Sequence, residues 1–335
     1  MSQIRISREH FLHNLSQIAK KTQSLERIAL VLKDNAYGHG LELMARLARE
    51  AGIRHAVVRR MAEAERIEAL FETVLVLSET PRSVPSPKLR IAINGLEAIG
   101  RIPEGTAVEL KVDTGMHRHG VDPAEFRRAV GKIAARGLRL VGVMTHYRSA
   151  DEIGSELFWQ RKRFEAVREE AERMGLSGLR WHSCNSAALF RTASFDEDIA
   201  RIGIAAYGCL RLPPSFKRPD LKPVMSLWAD RISSRALVAG ARIGYGGEGS
   251  VSAPTRVSSY DIGYGDGWLR NASVSYRLPD GRTLLGRVSM DAVSLEGDEE
   301  RICLFCDALE AASQLGTIPY EVTTRLDPAI ERVVV

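Results

Sequence analysis

Short apolar runs alternate with amphipathic helical stretches, and this alternation limits the chain to few folds. Eight runs read as buried strands: Ile28–Leu32, His55–Val58, Val74–Leu77, Arg90–Ile93, Ala107–Val112, Leu140–Thr145, Arg180–Ser183 and Ile199–Ala206. Helical patterns at Leu41–Ala51, Met61–Phe71, Asp122–Arg136 and Glu156–Met174 lie between most of them. Asp122 is expected at the N-cap of its helix, with Pro123 at the first position and Glu125 at the third. One connection breaks the rhythm. The stretch from Glu79 to Pro87 holds Pro81, Pro85 and Pro87 and cannot be an ordinary helix. Eight βα units predict the α/β class and suit a (β/α)8 barrel. A doubly wound sheet also accommodates eight strands, and periodicity does not choose between the two.

Both flanks have a different texture. Ser2–Ile6 alternates like an edge strand and leads into a helix with Phe11, Leu12, Leu15 and Ile18 on one face. The segment from Leu212 to Pro219 reads as an extended linker. Beyond it, Ser226–Ser233, Val257–Ile262, Ala272–Tyr276, Thr283–Val288 and Arg301–Phe305 are strand-like and separated by glycine turns. The expected organisation is a barrel over residues 8–223 and a mostly β domain over 224–335, which the first strand (1–7) joins. A chain of 335 residues is long enough for both.

Charge bears on the partners. With 47 Lys and Arg against 42 Asp and Glu, the formal net charge is +5, and the basic residues are scattered. Neither nucleic acid nor membrane is therefore an expected partner. The start MSQIRISREH has no apolar signal core and no run is long enough to span a bilayer, so a cytoplasmic protein is the default expectation. Cys303-Leu-Phe-Cys306 has zinc-knuckle spacing but lacks a second ligand pair. It alternates as a strand would, and no metal is expected.

The chemistry is expected where barrel strands end. Val31-Leu32-Lys33-Asp34-Asn35-Ala36-Tyr37-Gly38-His39-Gly40 places a lysine at such an end, before a loop with a tyrosine, two glycines and a histidine. A partly desolvated lysine there would have an amine free for Schiff-base chemistry. By position alone it is more often an ordinary surface lysine, since lysine shifts its pKa only when buried.

The wider pattern is more specific. VLKDNAYGHG resembles the pyridoxal-phosphate lysine motif of alanine racemases, K-A-D-A-Y-G-H-G, with Asp34 and Asn35 where Ala and Asp are usual. Further motifs follow in the family's order. Lys111 to Arg118 resembles K-x-D-T-G-M-x-R, Met144-Thr145-His146 resembles M-T-H, and His182 to Ala187 resembles H-x-A-N-S-A with Cys184 for Ala. Arg201 to Gly208 resembles R-x-G-I-x-x-Y-G. In the C-terminal part, Ile243 to Gly246 resembles V-G-Y-G, and Ile262 to Gly267 resembles I-G-Y-A-D-G with Gly265 for Ala. Gly286 to Asp291 matches G-R-V-S-M-D, and Thr317 to Val322 resembles a segment whose tyrosine reaches the phosphate.

The resemblance covers nearly the whole chain and implies the barrel, with pyridoxal 5'-phosphate as cofactor. It implies interconversion of L- and D-alanine, supplying D-alanine for peptidoglycan, with Lys33 and Tyr245 as two bases on opposite faces of the substrate. A phenol is a weak base at neutral pH. The implied aid is the His146–Arg201 pair, which would link the cofactor ring to Tyr245. Tyr37, Ser186, Tyr320 and the backbone N–H groups of Gly203 and Ile204 would hold the phosphate, and Arg201 would face the pyridine nitrogen. Arg118 would take the substrate carboxylate, Met290 and Asp291 would line the substrate pocket, and Tyr264 would narrow its entrance. Lys111 is a candidate for carbamylation, its carboxylate then orienting Arg118. In the family the second base comes from the partner, so a homodimer with shared sites is implied. Three alternatives stay open. One is a racemase of broader scope, acting for example on serine. Another is a barrel decarboxylase, whose glutamate at the pyridine nitrogen is at odds with Arg201. The third is a non-catalytic pyridoxal-phosphate carrier with the same barrel, a class that lacks the C-terminal β domain expected here.

Overall fold

The computed structural model describes residues 1–273 and 276–335. The chain opens with β1 (Gln3–Ile6) and a helix over Arg8–Thr22, capped by the Ser7 hydroxyl, which accepts the His10 N–H. Eight strands follow: β2 (Ile28–Val31), β3 (His55–Val58), β4 (Thr73–Val76), β5 (Leu89–Ile93), β6 (Ala107–Lys111), β7 (Arg139–Met144), β8 (Arg180–His182) and β9 (Ala200–Ile202). They form one eight-stranded sheet in the order β8-β7-β6-β5-β4-β3-β2-β9, parallel throughout. A parallel bridge between Asn185 and Arg201 joins the two end strands, and the Arg201 N–H donates to the Cys184 carbonyl at 2.9 Å. The sheet is therefore a closed barrel.

The helices Leu41–Glu50, Met61–Ile67, Phe126–Ala135 and Glu156–Arg173 alternate with these strands. The proline-rich connection between β4 and β5 has no helix. Asp122 caps the 3-10 turn Pro123–Glu125 that leads into the Phe126–Ala135 helix, its carboxylate accepting the Ala124 N–H at 2.8 Å. The last barrel strand is shorter than the apolar run Ile199–Ala206. Past Ile202 the chain turns, with the Ala206 N–H on the Gly203 carbonyl at 2.9 Å. Apolar content alone does not reveal that turn, because its residues are buried too.

The second sheet is built from β10 (Met225–Leu237), β13 (Thr255–Tyr260), β14 (Val293–Glu296), β15 (Arg301–Phe305) and β16 (Glu331–Val334), with a separate hairpin of β11 (Arg242–Ile243) and β12 (Gly249–Ser250). β1 pairs antiparallel with β10 (Ile4 opposite Leu227) and parallel with β16 (Ile4 opposite Arg332), so the first strand lies in the distant sheet. Thr283–Val288 is not a strand. Thr283 forms one bridge with Arg277, and Gly286 has φ +73°, a left-handed conformation that ends extended pairing. For Ala272–Tyr276, Val274 and Ser275 lie outside the described residues, and Ala272 ends a 3-10 turn. Two helices, Ala308–Leu315 and Pro319–Thr324, were not legible as such in the sequence. Proline at the first helical position starts the second of them.

A single apolar cluster joins both parts, from Ile4, Phe11 and Leu30 to Leu227 and Phe305. The β11–β12 hairpin has its own small cluster of Ile243, Val251 and Val257. No helix among the described residues is long and apolar enough to cross a membrane.

Candidate active site

Lys33 stands two residues past β2, half-buried, and begins an unusual turn. Asp34, Asn35, Ala36 and Tyr37 all have positive φ, between 52° and 55°, so four successive non-glycine residues wind left-handedly. Each such residue costs roughly 1–2 kcal/mol, and the surroundings must hold it. The Asp34 N–H donates to Glu63 at 2.7 Å and Arg59 pairs with the Asp34 carboxylate at 3.3 Å. The Asn35 side chain accepts the Leu41 N–H at 2.8 Å and so satisfies the first free N–H of the next helix. Arg332 donates to the Gly38 carbonyl at 3.1 Å. At Gly38 a Cβ would lie 1.9 Å from the Thr323 carbonyl oxygen, so only glycine fits. The two departures from the family motif thus suit this turn, since Asn and Asp tolerate the left-handed region best among side-chain-bearing residues.

Beside this turn lies a cradle of backbone and hydroxyl donors. The Ser186 hydroxyl accepts the N–H groups of Gly203 (3.2 Å) and Ala205 (3.3 Å). The Ile204 N–H between them has no acceptor among the described residues. A Cβ at Gly203 would lie 2.4 Å from the Tyr37 hydroxyl, so the missing side chain leaves room for that phenol. Tyr320, from the C-terminal part, packs its ring 5.7 Å from that of Tyr37. Burial raises both phenol pKa values, so both remain protonated donors.

Arg201 occupies the barrel interior, 6 % exposed. Its Nη1 donates to His182 Nδ1 (2.8 Å) and the His182 carbonyl (2.9 Å). Its Nη2 donates to the carbonyls of Thr145 (2.6 Å) and Ser183 (3.2 Å) and reaches His146 Nδ1 at 3.4 Å. Among the described residues the Nε–H alone has no protein acceptor. Burial, then the nearby charges of Arg201, Lys111, Arg118 and Lys33, hold His146 well below the usual histidine range, so its imidazole is neutral.

The cationic groups converge. Lys111 is brought down to about 8, first by burial and then by Arg201 and Arg118. Lys33 also acts on it, and Asp113 opposes them. Lys33, Lys111, Arg118 and Arg201 therefore share one electropositive mouth, which suits anionic ligands such as a phosphate and a carboxylate. Asp113 is absorbed in shaping its own turn, its carboxylate accepting the N–H groups of Gly115, Met116 and His117 at 2.8–3.1 Å. That turn presents Arg118 to solvent.

The C-terminal residues are held differently. Tyr245 is 64 % and Met290 60 % exposed, and Tyr264 and Asp291 are exposed as well. Tyr264, Met290 and Asp291 do lie together: the Gly265 N–H donates to the Met290 carbonyl at 2.7 Å and the Tyr264 N–H to the Ser289 carbonyl at 3.0 Å. Tyr245 sits at the tip of the β11–β12 hairpin. No hydrogen bond or ring contact among the described residues joins it to Lys33, His146 or Arg201. Sequence reasoning missed Glu109, which reaches His182 at 2.6 Å. Its signal was a carboxylate inside an apolar strand, two residues before Lys111.

Pyridoxal 5'-phosphate would fit these groups: the free Arg201 Nε–H would suit its pyridine nitrogen, the Ser186–Gly203 cradle its phosphate, and Lys33 its aldehyde carbon. Comparisons with known proteins agree in family. A family model described as "Alanine racemase, N-terminal domain" matches residues 6–211, and one described as "Alanine racemase, C-terminal domain" matches 224–334. A protein named Alanine racemase from a Nitratiruptor species is 42 % identical over 336 residues, covering 99 % of each chain. An alanine racemase structure from Clostridium difficile superposes with a TM-score of 0.90 at 24 % identity, covering 100 % of this chain and 95 % of that one, and shows the fold. An alanine racemase structure from Bacillus anthracis with bound L-Ala-P gives a TM-score of 0.88 at 25 % identity, covering 100 % and 95 %.

Proposed function

The chain belongs to the alanine racemase family, and we propose that its active site is built from two copies of the chain, with Lys33 of one and Tyr245 of the other as the two bases. The activity is the interconversion of L-alanine and D-alanine with pyridoxal phosphate as cofactor, an isomerase reaction that supplies D-alanine for peptidoglycan. Bound at this mouth, the cofactor supplies an electron sink that acidifies the substrate's α-proton. Everything else falls to side chains of the protein.

Inversion at carbon requires a proton to leave one face and another to arrive on the opposite face, so one base on each face is needed. In the L-to-D direction the Tyr245 phenolate takes the proton and the Lys33 ammonium returns one on the other side. The reverse reaction exchanges the roles. Arg118 binds the substrate carboxylate with a planar fork, and Met290, Tyr264 and Asp291 border the substrate. Arg201 cannot lose its proton at accessible pH, so its Nε–H would hold the ring nitrogen without protonating it. Tyr37, Ser186, Tyr320 and the N–H groups of Gly203 and Ile204 would hold the phosphate. We divide the chain at residues 223 and 224 into the barrel and the β-rich part, which 1–7 joins, and assign the protein to the cytoplasm.

The observation that carries this reading is the contrast between a barrel mouth lined by Lys33, Arg201 and Ser186 and a Tyr245 left 64 % exposed on a hairpin outside the main core. Tyr245→Phe tests it: L-alanine turnover should collapse while the cofactor remains bound, with borohydride still fixing it to Lys33. Wild-type-like turnover in this variant would refute Tyr245 as a base.

A further inference from the structure

The interior of this barrel holds a chain of charges below the cofactor site. Glu109, on β6, is fully buried. One of its carboxylate oxygens takes Arg180 at 2.5 Å and Arg90 at 3.2 Å, and the other meets His182 Nε2 at 2.6 Å. His182, also fully buried, faces Arg201 with its other ring nitrogen at 2.8 Å. Gly142 on β7 makes room for this group, since a Cβ there would lie 3.2 Å from the Glu109 side chain and 2.9 Å from the Arg180 carbonyl.

The proton on His182 has only one consistent position. A guanidinium donates and never accepts, so Nδ1, facing Arg201, must be the acceptor. The ring proton then sits on Nε2 and points at Glu109, which as a carboxylate can only accept. We propose that Glu109 is a positioning residue for the racemisation. By accepting the Nε2–H it fixes the His182 tautomer whose Nδ1 lone pair holds the Arg201 guanidinium in place. This rests on the reading that the Arg201 Nε–H serves the cofactor ring.

Electrostatics agrees with this assignment. Burial alone would raise the Glu109 carboxyl, but Arg180, His182 and Arg90 hold it well below the usual carboxylate range. Burial brings His182 down to about 4 against the pull of Glu109, so the imidazole is neutral. Stability alone does not call for such a cluster, because apolar side chains of the same volume fill a barrel interior at no loss.

Glu109→Gln separates a positioning role from a space-filling one. Arg180 and Arg90 claim the amide oxygen, so the NH2 turns toward His182. The ring proton must then move to Nδ1, where it opposes the Arg201 donor. With the holoenzyme selectively labelled with 15N-histidine, NMR should show wild-type His182 protonated on Nε2 only, the signal being assigned by its loss in His182→Gln. In Glu109→Gln the proton should appear on Nδ1. Turnover number should fall by roughly 10–100-fold, the usual effect of removing an outer-shell partner. The KM for L-alanine should change little, because Arg118 holds the carboxylate. A wild-type His182 protonated on Nδ1 or on both nitrogens overturns the proposal, whether or not the variant folds. A folded variant with wild-type turnover overturns it as well and leaves the active-site reading standing. A wild-type enzyme that does not racemise alanine refutes the active-site reading instead, while the tautomer still decides the Glu109–His182 link.

Discussion

The two halves of the proposed site are held in opposite ways. On the barrel side, Arg201 is 6 % exposed and all its Nη donors are engaged, Lys111 is buried, and the Lys33 turn is fixed by hydrogen bonds from both parts of the chain. On the hairpin side, Tyr245 is 64 % and Met290 60 % exposed, and the hairpin packs on its own three-residue cluster. One half is preorganised by the fold of a single chain, and the other is presented outward. A catalytic base gains nothing from free exposure, since proximity and exclusion of water are what lower a barrier. The exposed half is therefore expected to be buried by a second chain.

Five tests sharpen or break this contrast. The largest effect belongs to the bases: Lys33→Ala should remove activity and covalent cofactor attachment together, whereas Tyr245→Phe should lower the turnover number by about 10²–10⁴-fold with cofactor retained. Spectra and kinetics on the same samples would show it, and loss of cofactor in both variants would break the asymmetry. Arg118→Lys should lower kcat/KM by about 10–100-fold, mostly through KM, because an ammonium cannot form the bidentate fork. Gly38→Ala acts on stability and should cost on the order of 3 kcal/mol in denaturant unfolding, through strain and the clash with Thr323. An equally stable variant would mean that the left-handed turn is not rigidly held.

Lys111 provides a pH test. Its folded-state pKa, about 8, lies below the ordinary lysine value, so the folded protein binds fewer protons than the unfolded chain between the two values. Its contribution is therefore destabilising below about pH 8, and this penalty is relieved as pH rises toward the ordinary lysine range. Carbamylation needs the neutral amine, so the mass gain at Lys111 in bicarbonate should grow as pH rises through about 8. A pH-independent uptake would contradict the assignment. The smallest effect is expected from Asn35→Ala, about 1 kcal/mol from the lost hydrogen bond to the Leu41 N–H, measured by thermal unfolding.

The barrel strands were legible because each is a short apolar run covered on both sides, and the pairing of Ala29, Ala56 and Leu75 with their neighbours falls within the expected runs. The choice between barrel and open sheet was not, since closure depends on the Asn185–Arg201 bridge, which no local pattern encodes. In the C-terminal part, glycine turns obscured the strand limits at Thr283–Val288. Lys33, Arg201 and Ser186 were found through motifs, and the barrel mouth gathers them. The left-handed turn was hidden because Asp34 to Tyr37 contains no glycine, and Glu109 because its partners, Arg90, Arg180 and His182, come from strands distant in sequence.

Mixing two inactive variants tests the central claim most directly. Lys33→Ala and Tyr245→Phe are each expected to be inactive alone. If each site draws Lys33 from one chain and Tyr245 from the other, hybrid dimers formed by mild dissociation and reassociation contain one intact site. Equal mixing should then restore about a quarter of wild-type activity. If the mixture, shown to contain hybrids, stays as inactive as its parents, both bases come from the same chain and the two-chain site is wrong.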